Sequence, residues 1–166
     1  MGEITTCRLG TLALCSVLSG LPSLATEASE TATINMLVSI VAPPCTINNN
    51  QVIEVEFGDV MTTRVDGNNY RMPVNYTLDC KNAPSSAMKL QVQGNAASFD
   101  STLLQTSNPA LGIKLQNGAT ALSVNTWLNF TYNNNPSLWV VPVKKAGAAL
   151  SAGQFWAAAT MKVDYQ

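Results

Sequence analysis

Histidine is absent from the 166-residue chain, and charge is scarce, with lysine, arginine, aspartate and glutamate together making up 11%. Without histidine there can be no Ser-His-Asp or Cys-His catalytic constellation. Isolated cysteines with no imidazole partner cannot complete a tetrahedral zinc site either. Nine basic residues stand against ten acidic ones, for a formal net charge of −1, and no basic block occurs. A nucleic-acid binder needs a basic stripe, which this chain lacks. Phosphate-binding and dinucleotide-binding glycine patterns are missing. So is any run of about 18 consecutive apolar residues that could span a bilayer. The acidic residues offer little chemistry. Glu54 and Glu56 lie two apart on one polar strand face and read as solubilising charges rather than a glycosidase pair. Asp59, Asp66 and Asp100 are isolated in loops, and Lys144-Lys145 is too short for a binding patch. These absences predict a non-enzyme with no cofactor, no small-molecule substrate and no nucleic-acid partner.

What is present begins with a short apolar leader. Arg8 is followed by a run from Leu9 to Leu21 that includes Leu12, Leu14, Val17 and Leu18, and Pro22 breaks it. Ser23-Leu24-Ala25 then supplies small residues at the −3 and −1 positions of a cleavage site. Residues 1–25 are therefore expected to be a signal peptide removed after Ala25. A lipid anchor at Cys15 is the weaker reading, because Leu14 stands where a small residue is wanted. Cleavage would remove Cys7 and Cys15 and leave Cys45 and Cys80 in an exported chain. One disulfide between them is expected, closing a loop of about 35 residues worth roughly 3–4 kcal/mol in the chain-entropy description.

The rest of the chain, sized for one domain, reads as strand after strand. Ile53, Val55 and Phe57 alternate with Glu54 and Glu56. Val74, Tyr76, Leu78 and Cys80 alternate with Asn75, Thr77 and Asp79. Met88, Leu90 and Val92 alternate with Lys89, Gln91 and Gln93, and Leu111, Ile113 and Leu115 with Gly112, Lys114 and Gln116. Trp139, Val141 and Val143 form another such run, and Phe155, Ala157, Ala159, Met161, Val163 and Tyr165 the last. Period two with a polar outer face marks half-buried antiparallel strands, and their succession without helical periodicity predicts a two-sheet sandwich. Phe99–Gln105 is the one stretch read as a short helical turn. Asn48–Asn50, Asn68-Asn69 and Asn133–Asn135 read as loop tips, since asparagine tolerates left-handed backbone. Asn75-Tyr76-Thr77 and Asn129-Phe130-Thr131 match the glycosylation pattern but would carry no meaning in a bacterial chain. Trp127, Trp139 and Trp156 could form a sugar platform, although tryptophans are more often core or interface area.

Thr31–Val41 stands apart. Ala32, Ile34, Met36, Val38 and Ile40 share one face, and Pro43-Pro44 separates them from Cys45 by a stiff, extended hinge. This segment is either an ordinary first strand or a detachable arm that completes another molecule's sheet. Several features then coincide in order and spacing. The alternating arm leads into Pro44-Cys45-Thr46. Val55-Glu56-Phe57-Gly58-Asp59-Val60 follows, then Cys80 at the end of a strand and Leu111-Gly112-Ile113-Lys114-Leu115 in mid-chain. Last come Gly153, Phe155, Ala157, Ala159 and Tyr165, the residue before Gln166. With these residues the chain resembles the pilins of chaperone–usher fimbriae, in particular minor subunits of P-type and type 1-like pili.

The resemblance implies an all-β, incomplete immunoglobulin-like sandwich, the pilin fold, with an N-terminal donor-strand extension. The organisation would be a signal peptide at 1–25, the extension at 26–44 and the pilin domain at 45–166. Ile34, Met36, Val38 and Ile40 would be the donor residues. Gly153, Phe155, Ala157, Ala159, Met161, Val163 and Tyr165 would edge a groove that first binds a periplasmic pilus chaperone. The carboxylate of Gln166 would anchor on basic chaperone residues. The implied partners are that chaperone, an outer-membrane usher and neighbouring fimbrial subunits. The chain would pass through the periplasm to an adhesive fimbrium on the cell surface. There it would serve as a minor or adaptor pilin, or alternatively as a tip pilin that itself binds a host glycan or protein. Val38 departs from the family, which has glycine in mid-arm, and calls for a roomier acceptor pocket.

Overall fold

Residues 45–166 are those described in the computed structural model, and among them there are strands and two short 3-10 turns but no α-helix. The predicted leader and the predicted donor residues Ile34, Met36, Val38 and Ile40 lie outside the described residues. In chain order the strands are β1 (Thr46–Ile47), β2 (Met72–Pro73), β3 (Leu78–Asp79), β4 (Ala87–Gln93), β5 (Ala96–Ala97), β6 (Asp100–Gln105), β7 (Leu111–Asn117), β8 (Thr120–Leu122), β9 (Trp127–Thr131), β10 (Leu138–Lys144) and β11 (Thr160–Tyr165). A six-stranded sheet runs β2-β10-β7-β6-β5 with β8 paired to β7, a three-stranded sheet runs β11-β4-β9, and β1 pairs β3. Every pairing is antiparallel.

The two larger sheets share one core. Leu90 and Val92 of β4 pack with Leu104, Ile113, Leu115, Leu122, Val124, Leu138 and Val140. A smaller cluster of Leu78, Cys80 and Met88 is flanked by Cys45, Ile47, Tyr132 and Tyr165. The alternation read in β4 and β7 is the alternation observed, but in β10 the residues that join the shared core are Leu138 and Val140, while Trp139 and Val143 of the expected inward row are only half-buried, because the outer face is itself partly covered where Gly67 lies against Val143. In β4, for instance, Met88, Leu90 and Val92 are buried and Gln93 is exposed. Cys45 and Cys80 are bonded, with Cα atoms 4.5 Å apart, and tie the start of β1 to the end of β3. Asn48, Asn49 and Asn50 adopt φ of 46°, 50° and 61°, left-handed values that asparagine tolerates.

Three further expectations are corrected. Phe99–Gln105 is not a helical turn, because Asp100–Gln105 is β6. Leu103 and Leu104 are both buried, one toward each face of the sheet, so no polar residue interrupts the pair and period two is hidden. Leu103 lies with Phe99 against Gly112, and the same outer face is covered farther along. Val65 is 4% exposed, Gly67 abuts Val143, and the Lys114 ammonium donates to the Gly67 carbonyl. The loop 58–70 thus lies over the outside of the six-stranded sheet, where Val141 is also buried. Asp66 sets the loop's bend by accepting the amides of Asn69 and Asn68, each at 2.8 Å, and these bonds hold its carboxyl below the usual range. The run Val74–Cys80 pairs only at Leu78–Asp79. The last run pairs only from Thr160 onward, so Phe155–Ala159 is not strand.

Tyr76 anchors the stretch before β3, where the Val74 amide donates to the Leu138 carbonyl and the Thr77 carbonyl accepts the Asn48 amide. Its hydroxyl donates to the Pro136 carbonyl at 2.6 Å, and burial pushes its pKa up from 10 to about 12. The neutral phenol is therefore favoured by the fold. Its contribution is complete below pH 10, where the unfolded chain is also neutral, and is lost as pH rises through about 12. Urea midpoints measured between pH 8 and 11.5 should fall more steeply for the wild type than for Tyr76→Phe. Parallel profiles would show that this phenol is not held neutral.

Candidate functional site

Two extended segments beside the core each lack a ladder partner on at least one side among the described residues. The first is Ile53–Phe57. Its side chains alternate as read, with Ile53, Val55 and Phe57 half-buried and Glu54 and Glu56 exposed, yet it has no ladder partner among the described residues. The second is β11. One edge pairs with β4 from Thr160↔Gln93 to Tyr165↔Met88. The other edge has no neighbouring strand among the described residues. Along β11 the half-buried residues are Met161, Val163 and Tyr165, and the exposed ones Thr160, Lys162 and Asp164.

The segments run in opposite directions past the same core. At one end the Phe57 and Phe155 rings lie 5.9 Å apart. At the other, Cys45 and Ile47 pack on the small cluster that also holds Tyr165. Between these ends, Val55 and Met161 pack against the large cluster, and Val163 touches both. The result is a row of core-facing apolar side chains, Val55, Phe57, Phe155, Met161, Val163 and Tyr165, none of which is fully covered. Beside them lies a sheet edge able to accept another strand. Such an edge, rimmed by apolar residues, is a template for strand addition.

The remaining predicted groove residues sit at the Phe155 end. Phe155 is half-buried, whereas Ala157 and Ala159 are exposed and Gly153, at φ 139°, lies in a bend. The chain here has left β4 and is tied instead to the loop after β6. The Ser107 amide donates to the Trp156 carbonyl at 2.9 Å, and the Trp156 amide to Ser107 Oγ at 3.1 Å. Gly94 permits this crossing, because a Cβ there would come within 3.3 Å of the Ala158 carbonyl oxygen and 2.4 Å of a Leu104 methyl. The sequence pattern reads Val55 and Phe57 as an ordinary strand, whereas they flank the same core as β11 without a ladder partner among the described residues. Their alternation with glutamates gave the buried face but not the missing neighbour.

The tryptophans do not gather into a platform. Trp127 lies on β9 of the three-stranded sheet under the Lys89 ammonium, 5.1 Å from the ring centroid. Trp139 lies on β10 of the other sheet beneath the Arg71 guanidinium at 3.7 Å. Trp156 projects from the segment before β11 and is 70% exposed.

Comparison with known proteins gives a consistent answer. The family model described as fimbrial protein matches residues 33–166. An uncharacterized fimbrial-like protein of Escherichia coli K12, YfcR, is 41% identical over 93% of this chain and 91% of its own length. The E. coli fimbrial adapter PapF is 27% identical over 80% of this chain and 86% of its own. Among solved structures, the P pilus adaptor subunit PapF superposes with a TM-score of 0.57 at 25% identity, covering 77% of this chain and all of that one. The P pilus rod subunit PapA gives a TM-score of 0.57 at 22% identity over 81% of this chain and likewise all of that one.

Proposed function

This chain belongs to the fimbrial protein family, and from that we propose that it is a minor or adaptor subunit of an adhesive chaperone–usher pilus, joined to its neighbours by exchanged strands. The observation that carries the reading is the edge of β11 that has no neighbouring strand among the described residues, beside the half-buried row from Val55 to Tyr165. It is a structural role, not an enzymatic one. A periplasmic chaperone would fill the groove first. During assembly at an outer-membrane usher, the arm of the next subunit would replace the chaperone's strand. This chain's own Ile34, Met36, Val38 and Ile40 would in turn enter the groove of the preceding subunit. Removal of residues 1–25 on export and display in a surface fimbrium belong to the same reading. The minor and adaptor relatives support a minor position rather than the rod.

The energetics suit a permanent joint. Burying four apolar donor side chains is worth on the order of 6–10 kcal/mol from transfer alone, and pairing along the β11 edge and closure of the core add to it. Val38, in place of the family's glycine, would select an acceptor with a roomy pocket at that position.

The test is purification. Produced alone, the chain should aggregate. Co-produced with its chaperone, or given an alternating apolar donor peptide, it should stay soluble and gain 20 °C or more in unfolding midpoint. A soluble, stable monomer with no donor would overturn the reading.

A further inference from the structure

Trp156 combines two properties that rarely meet. Its indole is 70% exposed, and its backbone is fixed on both sides, the amide donating to Ser107 Oγ and the carbonyl accepting from the Ser107 amide. It is also next to Phe155, whose ring closes one end of the groove against Phe57. A large, rigidly mounted aromatic side chain left in solvent is the usual form of an interface anchor.

The occupant follows from chain length. A strand added to β11 in the antiparallel sense, the more stable ladder per residue, runs from Tyr165 toward Thr160 and leaves the groove at the Phe155 end. In this chain only Val41, Ala42, Pro43 and Pro44 separate the last donor residue, Ile40, from Cys45, where the folded body starts. Fully extended, Ile40 to Cys45 spans no more than about 18 Å, and the two prolines stiffen the link. A neighbour built alike must therefore hold its body against the mouth of the groove. We propose that Trp156 is the contact that receives the body of the strand-donating fimbrial subunit, a second interface that fixes the angle between successive subunits. This inference rests on the strand-exchange reading above.

The experiment compares two complexes of the full chain. In one the groove is filled by a synthetic peptide copying the neighbour's donor strand. In the other it is filled by the whole neighbouring subunit, released from fimbriae as a pair. Hydroxyl-radical footprinting should find Trp156 oxidised freely in the peptide complex and at least fivefold less in the pair. Equal oxidation in both would overturn the inference while leaving strand exchange intact. Trp156→Ser should bind the peptide within about twofold of the wild type. A tenfold loss there would make Trp156 part of the groove and also overturn the inference. Failure of the wild-type chain to bind any donor peptide would instead sink strand exchange itself, and the inference with it.

Discussion

Val163→Asp should abolish donor-strand capture, with affinity for a donor peptide falling at least about 100-fold. Val163 is the one β11 side chain that packs against both apolar clusters, and a strand laid along the open edge would complete its burial. An aspartate there would be enclosed without a cationic partner, and an unpaired buried charge costs several kcal/mol. Each 1.4 kcal/mol is a factor of ten in binding, which sets the size of the loss. Lys162→Asp is the matching control. It places the same carboxylate one residue earlier, on the exposed face, and should leave capture within about twofold of the wild type. Peptide titration followed by anisotropy reads both. Equal loss in the two variants would mean that charge alone, and not the inward face of β11, governs capture.

That contrast depends on side-chain alternation, which was also the part of the fold most legible in the amino-acid pattern. In β4 and β7 the polar partners, Lys89 with Gln91 and Lys114 with Gln116, leave no doubt about which face is buried. In β6 the pattern fails for a physical reason. Leu103 and Leu104 are neighbours, and both are buried: Leu104 joins the large core, while Leu103 lies with Phe99 against Gly112, on a face that the loop carrying Gly67 also meets, at Val143 and Lys114. No local signal announces a covering loop that arrives from thirty or more residues away, as the separation between Gly67 and Lys114 requires. The alternation of the last strand was legible in part. Met161, Val163 and Tyr165 read correctly as an inward row, but Phe155–Ala159 was read as a continuation of the strand. Alternating alanines carry too little apolar area to force burial, and the hydrogen bonds between Trp156 and Ser107 draw that segment away from β4. The missing neighbour itself is invisible to periodicity. Ile53, Val55 and Phe57 alternate as any half-buried strand does, and alternation specifies a face, not a partner.

The donor half of the exchange gives the largest effect of all. Deleting Thr26–Ala42 should leave a chain whose body, closed by the Cys45–Cys80 bond, still binds a donor peptide with unchanged affinity. The same chain should be absent from every fibre position that requires attachment to a preceding subunit. On the proposed reading the two outcomes separate because acceptance would use β11 and Val55–Phe57, all of which remain, whereas donation would use only the alternating row Ile34, Met36, Val38 and Ile40. Losing that row forfeits the 6–10 kcal/mol or so of apolar burial together with the covalent continuity between one sandwich and the next. No surface contact, Trp156 included, can replace that continuity. Quantifying the deleted and full-length chains in purified fimbriae by mass spectrometry decides the matter. Incorporation of the deleted chain at even a tenth of the full-length level would place the donor function outside residues 26–42.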